Sequence, residues 1–217
     1  SNNLTYQKTG GFAQITKDLF VKKLSLGAAL RIDKADYFEA KFTPQFTVVY
    51  SPKETLNFRT SYQNGYRFPS IFEGFSNVNS GGVKRVGGLR IMSDGIFENS
   101  YTKASIDKFQ AQVNNDVNTL GITQVAAIEK NKNTIQKNPY TYLEPEFVKS
   151  LEVGFRGMAL NKNLFIDADF YYNSYKNFIA QVEASIPNTN DPNLIPTALY
   201  SKSTQNRYRL WTNSKSK

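Results

Sequence analysis

The chain contains no cysteine and no histidine. Thiol nucleophiles, Ser-His-Asp triads, zinc fingers and haem ligation through His or Cys are therefore excluded, which removes most common catalytic chemistry. No run approaches the roughly 18 apolar residues that a spanning helix needs. Mean hydropathy is −0.49, so nothing here suits a helical membrane protein. No basic-then-apolar segment opens the chain, so Ser1 is not expected to be a precursor start. A total lack of cysteine suits a protein that crosses an oxidising space before folding.

What is present is aromatic and basic. The 217 residues include 13 Tyr and 16 Phe against a single Trp, and Lys plus Arg (27) outnumber Asp plus Glu (18). A net charge of +9 suits nucleic acid, anionic lipid or an acidic ligand as partner. No concentrated Lys/Arg stripe occurs, so nucleic acid is not expected.

Period-two alternation dominates. Leu24, Leu26, Ala28, Leu30 and Ile32 oppose Ser25, Gly27, Ala29, Arg31 and Asp33. Phe42, Phe46, Val48 and Tyr50 alternate with Lys41, Thr43, Gln45 and Thr47, and Leu56, Phe58, Tyr62 and Tyr66 with Asn57, Arg59, Ser61, Gln63 and Arg67. After Glu146, the residues Phe147, Leu151, Val153 and Phe155 oppose Ser150, Glu152, Gly154 and Arg156. Leu164, Ile166, Ala168, Phe170 and Tyr172 oppose Asp167, Asp169, Tyr171 and Asn173. With a weaker run over residues 11–19 and another from Gln205 towards the end, seven strands are expected.

Runs of about 10–13 residues exceed the usual soluble mean. A 12-residue strand tilted near 45° rises about 28 Å, close to the apolar band of an outer-membrane barrel. Alternation alone also fits a large antiparallel sheet with one solvated face. Connection lengths separate the two. Links near residues 20–23, 51–54 and 160–163 are tight, whereas those near 34–39, 69–145 and 181–204 are longer. Alternating short and long connections are the habit of transmembrane barrels. The expected fold class is all-β: part of a large antiparallel transmembrane β-barrel with a long, partly helical extracellular loop over residues 67–145. Seven strands cannot close a barrel, and residues 214–217 lack a terminal aromatic, so the chain reads as an internal piece of something larger.

Inside the loop, Ile106, Phe109, Val113, Val117 and Leu120 recur at helical spacing, with Ser105 as N-cap, Asp107 in the first turn and Gly121 beyond the end. A second short helix starts at Thr123 and carries Val125 and Ile128. Gly81-Gly82 and Gly87-Gly88 mark irregular backbone.

The run Asn57-Phe58-Arg59-Thr60-Ser61-Tyr62-Gln63-Asn64-Gly65-Tyr66-Arg67-Phe68-Pro69-Ser70 resembles the "Y-x-x-G-[FY]-R-x-P-[ST]" strand end of TonB-dependent outer-membrane receptors. Tyr142-Leu143-Glu144-Pro145-Glu146, with Ser150-Leu151-Glu152-Val153-Gly154, is similar to the "L-x-P-E-x-x-x-S-x-E-x-G" strand entry of that family, and residues 170–179 resemble its next ascending strand. Phe12-Ala13-Gln14 and Tyr66-Arg67-Phe68-Pro69 look closest to Bacteroidetes-type receptors. The resemblance implies an outer-membrane nutrient receptor with a plug inside a 22-stranded barrel, driven by TonB–ExbB–ExbD. Plug, TonB-contacting segment and remaining strands are then absent from this chain, and a siderophore, glycan or similar scarce ligand is the cargo. A passive porin or barrel adhesin without a plug is the alternative.

Tyr66, Arg67, Pro69, Glu144, Pro145, Glu146, Glu152 and Gly154 are the motif residues, and their expected role is architectural. Pro69 cannot donate to a ladder and ends a strand, while Pro145 marks where pairing resumes. The expected extracellular ligand contacts are Phe72, Phe75, Lys84, Arg85, Arg90 and Tyr101, aromatics and cations able to stack on or pair with an anionic or aromatic ligand. The blander role for the same residues, and the preferred expectation, is to pack the loop or to meet lipopolysaccharide phosphate. Asp94, Glu98 and Asp107 match no Ca²⁺ loop, so neither metal nor cofactor is expected. Gly81-Gly82-Val83-Lys84 lacks Walker spacing. Asp167 and Asp169 share a strand face as a glycosidase pair would, but their neighbours make them a polar lining. The expectation is a transport protein, not an enzyme, in contact with outer-membrane lipid and lipopolysaccharide.

Overall fold

The computed structural model describes residues 5–214. In chain order come four long strands, β1 (Lys8–Leu19), β2 (Leu24–Ala35), β3 (Lys41–Lys53) and β4 (Leu56–Arg67). A mixed segment follows: α1 (Ile71–Phe75), β5 (Asn77–Ser80), β6 (Val83–Val86), α2 (Arg90–Ser93), α3 (Ile96–Asn99), β7 (Tyr101–Thr102), α4 (Lys103–Leu120) and α5 (Gln124–Asn131). Two more long strands, β8 (Glu146–Ala159) and β9 (Leu164–Lys176), precede β10 (Ile179–Pro187), α6 (Ile195–Tyr200) and β11 (Gln205–Asn213). The chain divides into two compact units, one from the N-terminal side to Phe68 together with Pro145–Phe178, the other Pro69–Glu144 with Ile179–Ser214.

The first unit is an antiparallel sheet of order β1-β2-β3-β4-β8-β9, open at β1 and β9 among the described residues. Its register aligns the alternation of all six strands. Ile15, Ala28, Phe46, Tyr62, Leu151 and Tyr172 form one cross-strand row, and Leu19, Leu24, Tyr50, Phe58, Phe155 and Ala168 another on the same side. The opposite side carries the row Asp18, Ser25, Val49, Arg59, Gly154, Asp169. A one-residue slip anywhere would have mixed the two faces. Phe46, Val153, Phe170 and Tyr172 are 49–66% exposed, so the apolar face is uncovered among the described residues. Two of the hairpins close through three successive left-handed residues, Phe20-Val21-Lys22 and Leu160-Asn161-Lys162, none of them glycine.

The second unit is a mixed sheet of order β5-β6-β11-β10-β7, in which β6 and β11 run parallel. Gly81 and Gly82, at φ 59° and 75°, close the β5–β6 hairpin in a conformation that costs glycine nothing. One core groups Val86, Phe97, Ala184 and Leu210. A second joins α4 to α5 through Phe109, Val113, Ala127 and Ile128.

Three sequence expectations change here. The seventh strand exists as β11, but it pairs with β10 and β6 in the second sheet and is not a wall strand of the first. Residues 181–204, expected as a loop, supply most of β10 and all of α6. β10 is half-buried or buried along its whole length, and its residues alternate, Ala180, Val182, Ala184 and Ile186 against Gln181, Glu183 and Ser185. The α4 helix begins two residues before Ser105: its cap is Thr102, whose hydroxyl accepts from the Ser105 N–H at 3.4 Å, and no acidic residue lies in its first turn. The reading of the chain end at residues 214–217 lies, beyond Ser214, outside the described residues.

Candidate ligand-binding face

On the polar face of the first unit, five charged side chains of β4, β8 and β9 form one network. Arg59 Nη2 lies 2.5 Å from Asp169 Oδ2 and 3.2 Å from Asp167 Oδ1, and its Nε is 3.9 Å from Glu152. Arg156 Nη2 donates to Asp167 at 2.6 Å. Gly154 sits between Arg59 and Asp169 in the ladder, and a Cβ there would overlap both side chains. The missing side chain is what lets Arg59 cross β8 to β9. Both aspartates are thus held by arginine, the arrangement of a structural lining and not of a free acid/base pair.

In the second unit the two sides of the sheet differ in chemistry. Leu210, fully buried, joins Val86 and Ala184 on one side. Strand alternation puts Arg207, Arg209 and Trp211 on the other. There the register forms a row of Val83, Arg207, Ser185 and Tyr101, and beside it a row of Arg85, Arg209 and Glu183.

Phe72 is brought to this face by α1. Ser70 caps that helix reciprocally, its N–H donating to Glu73 Oε2 at 2.7 Å while its hydroxyl accepts from the Glu73 N–H at 3.2 Å. The chain then packs backbone to backbone: Gly87 N–H donates to Ser76 at 2.7 Å, and a Cβ on Gly87 would overlap the Gly74 carbonyl. As a result the Phe72 ring meets Trp211 edge-on at 6.0 Å, and the Arg85 guanidinium lies 5.9 Å from the Phe72 centroid. Arg209 is neutralised by Glu183, Nε to Oε1 3.0 Å. Arg85 Nε and Trp211 Nε1 are buried donors without a hydrogen-bond partner. An edge-on aromatic pair beside a cation that has no carboxylate partner among the described residues favours an anionic or π-rich ligand.

The six residues singled out from the sequence part company. Phe72 and Arg85 come together. Phe75 is half-buried at the end of α1, and Lys84 is exposed, turned by alternation away from Val83 and Arg85. Arg90 belongs elsewhere, its guanidinium 4.4 Å from the Tyr142 ring centroid and 3.7 Å from Asp94. Tyr142 donates to Glu98 at 2.5 Å. Burial, then that bond, pushes the Tyr142 phenol up to about 12, and the same bond holds the Glu98 carboxyl below its usual range. Tyr101 is 9% exposed and packs with Ile106 and Leu199, with Lys137 Nζ 4.3 Å over its ring. Trp211, Arg207 and Arg209 are the residues the sequence reading did not select. The signal was available: one tryptophan with arginines two and four positions before it.

Among the described residues no group of three or more carboxylates is placed to hold a metal ion. No helix among them is long and apolar enough to cross a membrane, which says nothing of strands.

A family model described as TonB dependent receptor-like, beta-barrel, matches residues 1–213. The chain belongs to this family. Among solved structures it is similar to the siderophore receptor PirA from Pseudomonas aeruginosa, at 12% identity and TM-score 0.52, over 97% of this chain and 29% of that one. It also matches PirA from Acinetobacter baumannii, at 11% identity and TM-score 0.49, over 96% of this chain and 24% of that one. The chain therefore spans less than a third of either neighbour. No curated protein sequence matches it.

The family motifs fall at the ends of β4 and β8. Tyr66 packs on Phe147 with centroids 4.7 Å apart, and Arg67 Nε pairs with Glu146 at 2.5 Å, tying the two strands beside the point where the long loop leaves and returns. Pro69 is fully buried. In the second unit, Glu144 N–H donates to Asn213 Oδ1 at 2.7 Å, and Asn213 Nδ2 returns a bond to the Glu144 carbonyl at 2.9 Å.

Proposed function

We propose that the chain is a barrel-wall segment, with its large extracellular loop, of an outer-membrane TonB-dependent receptor that imports a scarce nutrient. One observation carries the reading. Six strands of 12–14 residues align into a predominantly apolar face opposite a charged one, within a chain that belongs to this barrel family. Such a wall suits lipid outside and water inside. On this reading β1 and β9 pair with further strands of the same protein, because open edges are not tolerated in lipid. A plug and a TonB-contacting segment complete the receptor, and TonB–ExbB–ExbD supplies the energy. Residues 67–145 are then extracellular, beside lipopolysaccharide, and the Bacteroidetes-type character of the motifs is part of the same proposal.

The cargo is an iron chelate, a glycan or a comparably scarce ligand. The structural neighbour from Pseudomonas aeruginosa is a siderophore receptor, which supports a chelate. Phe72 and Arg85, joined by Trp211, are the central ligand contacts, with Phe75, Lys84, Arg90 and Tyr101 contributing through the loop's shape and charge. Uptake measured in cells with and without the receptor gene, and with and without a working TonB, tests the proposal. Growth on the cargo should need both genes. Uptake that survives loss of TonB would favour a passive porin. With the cargo identified, Trp211→Ala should weaken its binding about tenfold, the scale of a lost aromatic anchor.

A further inference from the structure

A cleft of about 210 Å³ opens between the first turns of α4 and the β10–β11 pair. Its apolar wall includes Ile106, 3% exposed, and Val83. Its charged groups are Lys103, Asp107, Glu183, Lys202 and Arg207. Both carboxylates are already taken: Lys103 pairs with Asp107 one turn along α4, and Arg209 pairs with Glu183 across the strands. Among the described residues no carboxylate pairs with Lys202 or Arg207.

The acceptors that would repel an anion are also occupied. The carbonyls at the end of α6 face two amides: Gln110 Nε2 donates to Leu199 at 2.9 Å and to Tyr200 at 3.1 Å, and Gln205 Nε2 donates to Leu199 and Ser201, each at 3.0 Å. What the cleft leaves unmet is a guanidinium, an ammonium and an apolar wall. Arg207 is flanked in register by Val83 and Ser185, so a guanidinium able to fork onto a carboxylate stands directly beside apolar surface. The volume lies below the usual range for drug-sized ligands, which limits the occupant to a compact molecule.

We propose that this cleft binds a small organic monoanion, a carboxylate on a compact apolar body, with Arg207 and Lys202 on the carboxylate and Ile106 and Val83 against the body. The assignment goes beyond the uptake reading and does not depend on it, because binding is read at equilibrium without transport.

The test is titration of the full-length receptor in detergent with benzoate, with its neutral isostere benzamide and with inorganic phosphate. Saturable benzoate binding is expected, with benzamide at least tenfold weaker. Arg207→Gln and Lys202→Gln should each weaken benzoate at least fivefold without moving the thermal midpoint. Lys202 is exposed, so the second variant keeps the test decisive if the first perturbs folding. Equal binding of benzamide and benzoate, phosphate as tight as benzoate, no saturable benzoate binding, or indifference to both variants would each overturn the assignment.

Discussion

Gly154 shows what a single absent side chain does in this wall. An alanine there would bring its Cβ within 2.5 Å of Arg59 Nε and 2.7 Å of Arg59 Cγ, and against Asp169. Gly154→Ala should therefore cost about 1–3 kcal/mol, as overpacking does, seen as a lower urea midpoint of the receptor in detergent. Asp169→Ala in the same background should recover part of that loss, because the arginine is then free to move. The glycine is visible in the sequence as a motif position, but its reason is not: the arginine that needs the space comes from β4, far away along the chain. Gly87-Gly88 were read as irregular backbone for the same cause, a close approach that no local pattern announces. Titration belongs to this scale too. Asn131 at 2.8 Å and Lys130 at 3.0 Å hold the Asp116 carboxyl below its ordinary range, as Tyr142 does for Glu98. A lowered folded-state value gives stability that is fully present above the ordinary carboxylate range and is lost as pH falls below that range through the folded-state value. The thermal midpoint should drop between pH 6 and pH 3, and Asp116→Asn should make that drop shallower; an identical drop would remove Asp116 from the account.

At the scale of elements, α4 is the part of the loop that the sequence revealed best. Ile106, Phe109 and Val113 are all buried, on the helical spacing that marked them, and Gly121 ends the helix at φ 63°. Phe109 is fully buried between α4 and α5. Phe109→Ala should cost about 3–5 kcal/mol and release the pair of helices, which proteolysis of the long loop would report. In α5 the pattern misled: Val125 is 77% exposed, while the small Ala127 is fully buried beside Ile128. Interior size there is set by the closeness of α4, which periodicity does not encode. β10 was visible but not selected: Ala180, Val182, Ala184 and Ile186 alternate with Gln181, Glu183 and Ser185, a short run inside the loop expected over residues 181–204. Its partner β11 was seen as a strand but assigned to the wrong sheet, because pairing with β6 is parallel and depends on residues more than a hundred positions away.

At the scale of the whole molecule, the long sheet was legible because its apolar and polar residues mostly alternate across long strands, and hydrogen-bond register then aligns the six strands, with one irregularity near the β3–β4 turn. The face proposed for ligand was not, because it is assembled from α1, β6 and β11, three short pieces with no shared motif. An uncovered apolar face and two open edges give a further expectation: the 217-residue chain produced alone should aggregate unless detergent is present. The most direct test of the account uses site-directed labels, for which these 217 residues carry no cysteine and any cysteine elsewhere in the receptor is first replaced by serine. Single cysteines at Phe46, Val153 and Phe170, and at Ser61, Gln63 and Asn173, can be spin-labelled in the full-length receptor in lipid vesicles. Collision with oxygen and with a water-soluble nickel chelate is then compared at each site. The account predicts oxygen-accessible, chelate-protected labels at the first three sites and the reverse at the second three. Equal exposure of both sets to the chelate would contradict a lipid-facing wall.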